Sequence, residues 1–384
     1  ANVVGSYALT PSAATGGTFD IANYIVTYNA GTLSVGKATL TYNATATNST
    51  YGSTPSVNAG TITGFVNNET ATALTGTLLF STTATATSNV GSYAITGSGY
   101  SSNNYDFVQA AANATALTIG QKALTITANA QISTYGSTLV LGTSAFTNSV
   151  LETGDTISSV TLTQGGNTTV PATQGAGVYS GATNGILASA ASGTGLGNYL
   201  ITYLPGTLTI NKATLTVTAD SQARVYGDAN STLTYTISGY VNGQNLGSSG
   251  VTGAAAISTT ATQGSNVGSY TITSAANNLV ATNYDFSYTD GTLTVNRRPV
   301  TVTADNKSKT YGDVNPVLTY TVAANGVSGS RGLYDSDALT GDPTTTATQA
   351  TAVGYPAITQ GGLTNTNNGN YAITFNDGTL TINP

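Results

Sequence analysis

Most of the side chains that perform enzyme chemistry are missing from this sequence. Its 384 residues include no Cys, Met, Trp or His. Thiolate nucleophiles, histidine bases, disulfides and Cys/His zinc sites are therefore excluded by residue type. Paired carboxylates could still support glycoside hydrolysis, but the 15 acidic residues are scattered along the chain. We therefore predict that the chain is not an enzyme.

Two groups of aspartates have the residue type and spacing of candidate calcium ligands. The densest acidic run holds Asp335, Asp337 and Asp342, where a solvated loop is favoured over a cation site. The second group is an aspartate pair that occurs in two repeats. Uncharged residues replace both aspartates in the other two repeats, so capping of turns and strand ends is favoured over a shared metal site. We predict no cofactor, with calcium as the alternative. The second group comprises Asp220/Asp228 and Asp305/Asp313, with Thr45/Ser53 and Asn129/Ser137 at the equivalent places.

Tyrosine is the principal aromatic residue, with 23 copies, and a flat apolar ring that ends in a hydroxyl suits carbohydrate binding. Most of the tyrosines recur at fixed strand positions, which indicates core and turn roles. Tyr100, Tyr240 and Tyr334 fall outside that register. These three are the candidate carbohydrate contacts.

Lysines at three recurrent junctions could in principle form isopeptide crosslinks with asparagine. They are Lys37, Lys122 and Lys212, and the last repeat has Arg297 and Arg298 at that place. A guanidinium group cannot form such a crosslink. A solvated charge that discourages pairing between sheet edges is the favoured interpretation.

A recurring segment organises the chain and positions all of these side chains. It spans 206–220 and recurs at 31–45, 115–129 and 291–305, and its first half closes the chain at 378–384. Alternating apolar residues predict strands. The alternation changes phase by one residue between the two halves, which turns the apolar set to the opposite face. We therefore predict that the last strand of one domain runs directly into the first strand of the next.

The spacing of these segments predicts an all-β fold. We expect a tandem array of small β-sandwich or β-grasp-like domains, with at most one short helical turn in each repeat and a closing hairpin around Asp-Gly. Without linkers the array should form a stiff, elongated rod on the order of 150 Å long. The predicted divisions are a partial repeat at 1–36 and full repeats at 37–121, 122–211, 212–296 and 297–384.

Charge and composition argue against nucleic acid and the membrane interior as partners of this chain. The net charge is −6 and charged residues make up 6% of the chain, so we predict no nucleic-acid binding. No apolar stretch is long enough to span a bilayer, and we predict no membrane insertion. The first residues lack the features of a signal peptide. We therefore interpret the sequence as an internal or processed piece of a longer chain. Because acidic, cysteine-free repeats rich in Thr, Gly and Asn are typical of chains that bacteria export, we expect a location outside the cell or on the bacterial surface.

Five motifs repeat in the same order: Lys-Ala-Thr-Leu-Thr, Tyr-Gly-Asp, Val-Gly-Ser-Tyr, Asn-Tyr-Asp-Phe and Asp-Gly-Thr-Leu-Thr. In this combination the chain resembles the MBG/YDG-type repeat domains of large bacterial surface and two-partner-secretion adhesins. The resemblance implies a mostly β, non-enzymatic stalk or repeat region. The second repeat departs from the pattern, since Val178-Tyr179 lacks the serine.

We therefore predict a structural repeat region of an exported adhesin or biofilm matrix protein. Expected partners are other surface or matrix components, including polysaccharide, and copies of the chain that associate head to tail. Two alternatives stay open: a self-assembling subunit of an extracellular filament or sheath, and a carbohydrate-binding module that uses the irregular loops.

Overall fold

The computed structural model describes residues 3–384 and is built almost entirely from β-strands. The predicted all-β class is confirmed. The chain forms two compact units, one of residues 3–131, 140–170 and 179–208, and the other of residues 132–139, 171–178 and 209–384. Each unit is described separately below.

Short strands follow one another throughout the chain. Up to residue 128 they are β1 (Gly5–Leu9), β2 (Gly31–Val35), β3 (Ala38–Ala44), β4 (Thr47–Thr50), β5 (Gly60–Thr63), β6 (Thr75–Ser81), β7 (Gly91–Tyr93), β8 (Thr96–Ser101), β9 (Tyr105–Gln109), β10 (Leu117–Gly120) and β11 (Lys122–Ala128). Up to residue 211 they are β12 (Gln131–Thr134), β13 (Leu139–Val140), β14 (Phe146–Asn148), β15 (Thr156–Thr163), β16 (Thr169–Val170), β17 (Gly177–Tyr179), β18 (Leu187–Thr194), β19 (Tyr199–Leu204) and β20 (Leu208–Asn211).

The remaining strands belong to the second unit. They are β21 (Ala213–Ala219), β22 (Gln222–Val225), β23 (Tyr235–Ser238), β24 (Ala256–Thr259), β25 (Gly268–Ala275), β26 (Tyr284–Thr289), β27 (Gly291–Asn296), β28 (Arg298–Ala304), β29 (Lys307–Thr310), β30 (Tyr320–Val322), β31 (Thr344–Thr345), β32 (Ala357–Thr359), β33 (Tyr371–Asn376) and β34 (Gly378–Asn383).

In the first unit, two small mixed sheets are built within the predicted repeat 37–121. One has the order β5-β3-β9, with β3 antiparallel to β5 and parallel to β9. The other has the order β4-β10-β7, with β10 parallel to β4 and antiparallel to β7. In the next predicted repeat, β11 takes the place of β3 in the sheet β14-β11-β19. Two-stranded sheets β1-β2, β6-β8 and β15-β18 complete the pairings inside this unit.

In the second unit the same plan occurs twice. The sheet β23-β21-β26 accompanies β22-β27-β25-β24, and the sheet β30-β28-β33 accompanies β29-β34-β32-β31. Each opening strand, β21 or β28, pairs in parallel with a strand about 70 residues later. Because partners in such a pair are remote in sequence, each repeat must assemble as a whole.

The junction strands change sheets as the phase change predicts. β27 pairs with β22 and β25, whereas β28 pairs with β30 and β33. The buried side chains on either side of this junction nevertheless meet, since Val295 and Val300 belong to one apolar cluster. The two halves therefore serve different sheets, while adjoining sheets share buried surface and do not keep separate cores.

The closing hairpin predicted around Asp-Gly is wrong. β33 and β34 are consecutive, but they lie in different sheets, as do β26 and β27. The single residue Asp290 between β26 and β27 is shorter than the two-residue loop that a hairpin needs. A Cβ at Gly291 would lie 2.4 Å from the Ala219 carbonyl oxygen. Glycine is therefore required because the chain passes close to another backbone as it crosses between sheets.

Short helical segments are also more numerous than predicted in two repeats. Residues 37–121 contain 3₁₀ segments at Ala71–Ala73 and Ala111–Thr115, and residues 122–211 contain α1 (Gly181–Asn184) and a 3₁₀ segment at Leu196–Asn198. At 111–115 the sequence Ala-Ala-Asn-Ala-Thr replaces the usual Asp-Gly crossing. Its buried Asn113 donates an Nδ2–H bond of 2.9 Å to the Tyr42 carbonyl oxygen, which anchors the segment.

Candidate inter-repeat docking site

Four Asn-Tyr dipeptides share one arrangement, in which the tyrosine is buried at the start of a strand and makes the same two hydrogen bonds, whereas Tyr24 of the dipeptide nearest the N-terminus is 63% exposed. In these four, the tyrosine hydroxyl accepts a backbone N–H from the irregular middle of the repeat and donates to a side chain three residues further on. In the first unit the Tyr199 hydroxyl lies 2.8 Å from the Glu152 nitrogen and 2.7 Å from Asp155 Oδ2. The equivalent sets are Tyr105 with Val66 and Glu69, Tyr284 with Val241 and Gln244, and Tyr371 with Tyr334 and Asp337.

A tight turn holds the accepting side chain in place. The N–H of the accepting residue donates to the carbonyl of the residue three positions earlier, at 3.0 Å for Glu69 and Val66 and at 3.1 Å for Asp155 and Glu152. The sequence prediction treated this segment as the least regular part of the repeat and missed the turn. The signal was a Glu, Gln or Asp five residues after Gly64, Gly239 or Gly332.

The tyrosine of the preceding Tyr-Gly motif packs edge-on against this anchored ring. In the first unit the Tyr51 and Tyr199 ring centroids are 5.5 Å apart at an interplanar angle of 79°. In the second unit Tyr226 meets Tyr371 at 5.8 Å and 81°. Edge-to-face pairs of this kind contribute about 0.5–1.5 kcal/mol beyond the buried area. Within the second unit, Tyr135 and Tyr284 form a third such pair at 5.4 Å and 84°.

The two tyrosines of a pair share one acceptor. Tyr51 donates to Asp155 Oδ2 at 2.9 Å, the same oxygen that accepts from Tyr199. In the second unit, Tyr135 and Tyr284 both donate to Gln244 Oε1. One polar side chain thus satisfies two buried hydroxyl groups from consecutive predicted repeats.

The asparagine of the Asn-Tyr dipeptide reaches the preceding repeat as well. In the first unit Asn198 Oδ1 accepts the Val90 N–H at 2.9 Å, and its Nδ2 donates to Asn89 Oδ1 at 2.9 Å. In the second unit Asn370 Oδ1 accepts the Val267 N–H at 3.0 Å. Asn104 and Asn283 accept from Val4 and Ala176 in the same way. The Val-Gly-Ser-Tyr and Asn-Tyr motifs are therefore the two sides of one contact.

Ion pairs lie beside these contacts; those of Asp228 join two predicted repeats, whereas the lysine pairs each lie within one repeat. In the second unit Asp228 pairs with Arg298 at 3.4 Å and with Arg331 at 3.0 Å, and Arg298 also donates to the Gly332 carbonyl oxygen at 2.8 Å. In the first unit Lys122 pairs with Glu152. The other two junction lysines form exposed ion pairs, Lys37 with Asp106 at 3.2 Å and Lys212 with Asp285 at 3.5 Å, and such pairs contribute little.

Burial shifts the titration of the anchored tyrosines. The pKa of Tyr199 is raised to about 12, chiefly by burial; the Glu152 N–H bond opposes the shift, and the Asp155 carboxylate adds to it. Burial likewise raises the pKa of Tyr371, with Asp337 acting in the same direction. The neutral phenol is thus the form that this site stabilises.

The structure places two of the three candidate carbohydrate contacts beside this site. The Tyr334 ring lies 5.4 Å from Tyr226, and the Tyr240 ring lies 6.1 Å from Tyr284. Both are half-buried, so their rings are engaged in protein contacts. Tyr100 is half-buried elsewhere, and its N–H donates to the Tyr42 hydroxyl at 3.3 Å.

The candidate calcium ligands have other partners. Asp337 accepts the Tyr371 hydroxyl, and Asp335 adopts a φ of 52° in the turn before it. Asp220 accepts the Thr234 hydroxyl at 2.7 Å, and Asp305 accepts that of Thr319. Within the described chain, no three acidic side chains, Asp342 included, come close enough to hold a metal ion.

Comparison with known families identifies the domain family of the repeats. A family model described as the MBG domain, YGX type, matches residues 40–115, 215–294 and 300–381, which together exceed half of the chain. Each matched segment contains a Tyr-Gly and an Asn-Tyr dipeptide. No curated protein matches the chain. In the part that the structure describes, no helix is long and apolar enough to cross a membrane.

Proposed function

The chain belongs to the MBG domain family of the YGX type, and on this premise we propose that it is a non-catalytic stalk from an exported bacterial adhesin or biofilm matrix protein. MBG repeats are consistent with the repeat region of a surface protein. In this proposal the repeats hold a binding region away from the cell or join matrix components. The resemblance drawn from the five ordered motifs is confirmed by the family match.

One observation carries the proposal: consecutive predicted repeats are joined by a buried contact as well as by the chain. Tyr51 packs on Tyr199 while Asn198 binds the Val90 N–H, and the junction between β10 and β11 is the single residue Gln121. A domain pair held both by a short covalent junction and by buried side chains resists bending. Resistance to bending is the property that a stalk requires.

Small-angle X-ray scattering tests the stalk. A compact globule of this length has a radius of gyration of roughly 21 Å, and a stiff array should have about twice that value. A Gly-Ser-Gly-Ser insertion between Gly120 and Gln121 should broaden the distance distribution because it uncouples the contact. The same insertion between Gly165 and Gly166, in an exposed loop, is the matched control. A wild-type radius near that of a globule would refute the stalk.

Location is tested on intact bacteria. We propose an extracellular or cell-surface position, so a protease added to intact cells should remove the chain while a cytoplasmic marker survives. Protection of the chain until the cells are lysed would contradict the proposed location without affecting the stalk measurement. The filament and carbohydrate-binding alternatives stay predictions.

A further inference from the structure

One copy of the docking surface stands open. The tyrosines of the first three Tyr-Gly motifs, Tyr51, Tyr135 and Tyr226, are 5%, 6% and 6% exposed, whereas Tyr311 of the fourth motif is 55% exposed. Tyr311 directly follows β29, just as Tyr226 directly follows β22. The same residue in the same local structure therefore differs about ninefold in exposure, according to whether an Asn-Tyr dipeptide covers it.

The neighbours of Tyr311 are open in the same way. Val353 is 54% exposed and Tyr355 is 78% exposed, whereas the equivalent Val267 packs against an apolar cluster and its N–H is bound by Asn370. The Tyr311 N–H donates to the Asn383 carbonyl oxygen at 2.9 Å, and the Gly354 N–H donates to Ile382 at 3.2 Å. Both segments therefore flank the end of β34, and their side chains form one surface.

We propose that this surface, the terminal docking face of Tyr311, Gly312, Val353, Gly354 and Tyr355, binds a further MBG repeat. The partner is specified by chemistry that this chain already contains. It presents an asparagine whose Oδ1 accepts the Val353 N–H and an anchored tyrosine that packs on the edge of Tyr311. It also presents a Glu, Asp or Gln that accepts the Tyr311 hydroxyl proton.

Three filled copies of the face argue for this occupant. The face tyrosine donates to Asp155 in one copy and to Gln244 in another, so the face tolerates either a carboxylate or an amide. The Asn-Tyr dipeptide is the same in all three. The proposal concerns recognition between repeats and stands or falls separately from the stalk and its cellular location.

The test extends the full chain by a duplicate of residues 297–384, joined after Asn383 so that the new junction matches Asn296-Arg297. The duplicate carries Tyr311→Phe, so that its peptides differ in mass from the original ones and only the original Tyr311 is measured. Hydroxyl-radical labelling followed by mass spectrometry then reports the exposure of Tyr311. We expect Tyr311 in the extended chain to react roughly tenfold more slowly than in the original chain, in line with the exposures of 55% and 6% for Tyr311 and Tyr226. Equal labelling of Tyr311 in both chains would overturn the proposal.

Two controls make the result specific. Replacing the asparagine at position 370 of the duplicate with alanine (Asn370→Ala) should restore most of the Tyr311 labelling. Labelling of Tyr320 in that duplicate, at its wild-type rate, shows that the added repeat has folded. Protection of Tyr311 in the original chain that rises with protein concentration would assign the face to self-contact and overturn the proposal as well.

Discussion

Asparagine is suited to the Asn-Tyr position because both polar ends of its side chain are used. The Asn198 oxygen accepts the Val90 N–H, and the amide nitrogen donates to Asn89 Oδ1. An aspartate would keep the acceptor but would place an oxygen against the Asn89 oxygen. The amide thus hydrogen-bonds to two groups of the neighbouring repeat, the Val90 N–H and Asn89 Oδ1. Only a side chain with both an acceptor and a donor can make these two bonds, which explains why the dipeptide recurs.

Asn198→Ala should release the Val90 N–H. Because Val90 is 37% exposed, the loss is that of an ordinary hydrogen bond, about 0.5–1.5 kcal/mol, and the peptide that spans Val90 should exchange its amide hydrogens roughly two- to tenfold faster. Hydrogen exchange with mass spectrometry measures this rate. Asn103→Ala removes an exposed asparagine next to another Asn-Tyr dipeptide and should leave the exchange at Val90 unchanged. Unchanged exchange in both variants would show that the asparagine contact is dispensable.

The Tyr199 hydroxyl makes stability sensitive to alkaline pH. Its folded pKa, raised to about 12, lies above the ordinary value of 10. The protonated phenol therefore stabilises the folded state fully below pH 10, and this contribution is lost as the pH rises through 12. Thermal unfolding followed from pH 9 to 12 should show a smaller loss of stability for Tyr199→Phe than for the wild type. Tyr355→Phe, at an exposed position, should follow the wild type. Identical pH profiles for all three proteins would refute the assignment.

Sequence pattern located the tyrosines but could not assign their contacts. Tyr240 and Tyr334 fall outside the strand register, and both face ring partners in the docking site. Their partners are 44 and 108 residues away along the chain. Periodicity reports which face a side chain occupies, but it carries no information about contacts at such separations. The accepting side chains were missed for the same reason, since a turn residue that binds a remote hydroxyl resembles any other polar loop residue.

At the scale of elements, the same Asp-Gly signal has two structural meanings. In a hairpin it supplies a turn with positive φ, whereas here Gly291 supplies space where β27 begins beside the Ala219 carbonyl. Strand positions were predictable because alternation and β-branched residues fix them locally. The pairing of β26 with β21, and of β27 with β22 and β25, was not predictable, because sheet membership depends on partners remote in sequence.

Gly291→Ala tests the crossing. A Cβ 2.4 Å from a backbone oxygen forces the two strands apart, and overpacking of this kind costs about 1–3 kcal/mol. The transition assigned to this repeat in thermal unfolding should move to lower temperature. Gly36→Ala is the matched control, since Gly36 also lies at a junction and a Cβ there meets nothing within 4 Å. Equal effects of the two substitutions would contradict the close-approach explanation.

At the scale of the whole molecule, each docking contact joins neighbouring repeats only. Tyr51 and Tyr199 lie within the first unit, and Tyr226 and Tyr371 lie within the second. In arrays of this kind, stability is close to a sum of the stability of each repeat and of nearest-neighbour contacts. The effect of a lost contact should therefore fall off within the adjacent repeats.

Tyr51→Ala and its counterpart Tyr226→Ala measure how far such a loss propagates. Truncating a buried aromatic side chain costs about 3–5 kcal/mol, enough to change exchange rates clearly. We expect Tyr51→Ala to speed amide exchange in β11 and β19 while β28 and β33 keep their wild-type protection. Tyr226→Ala should instead speed exchange in β28 and β33 and leave β11 and β19 protected, because its ring contacts belong to the second unit. If either substitution lowered protection uniformly from β3 to β34, the repeats would unfold as one cooperative body, and the nearest-neighbour account of the array would be wrong.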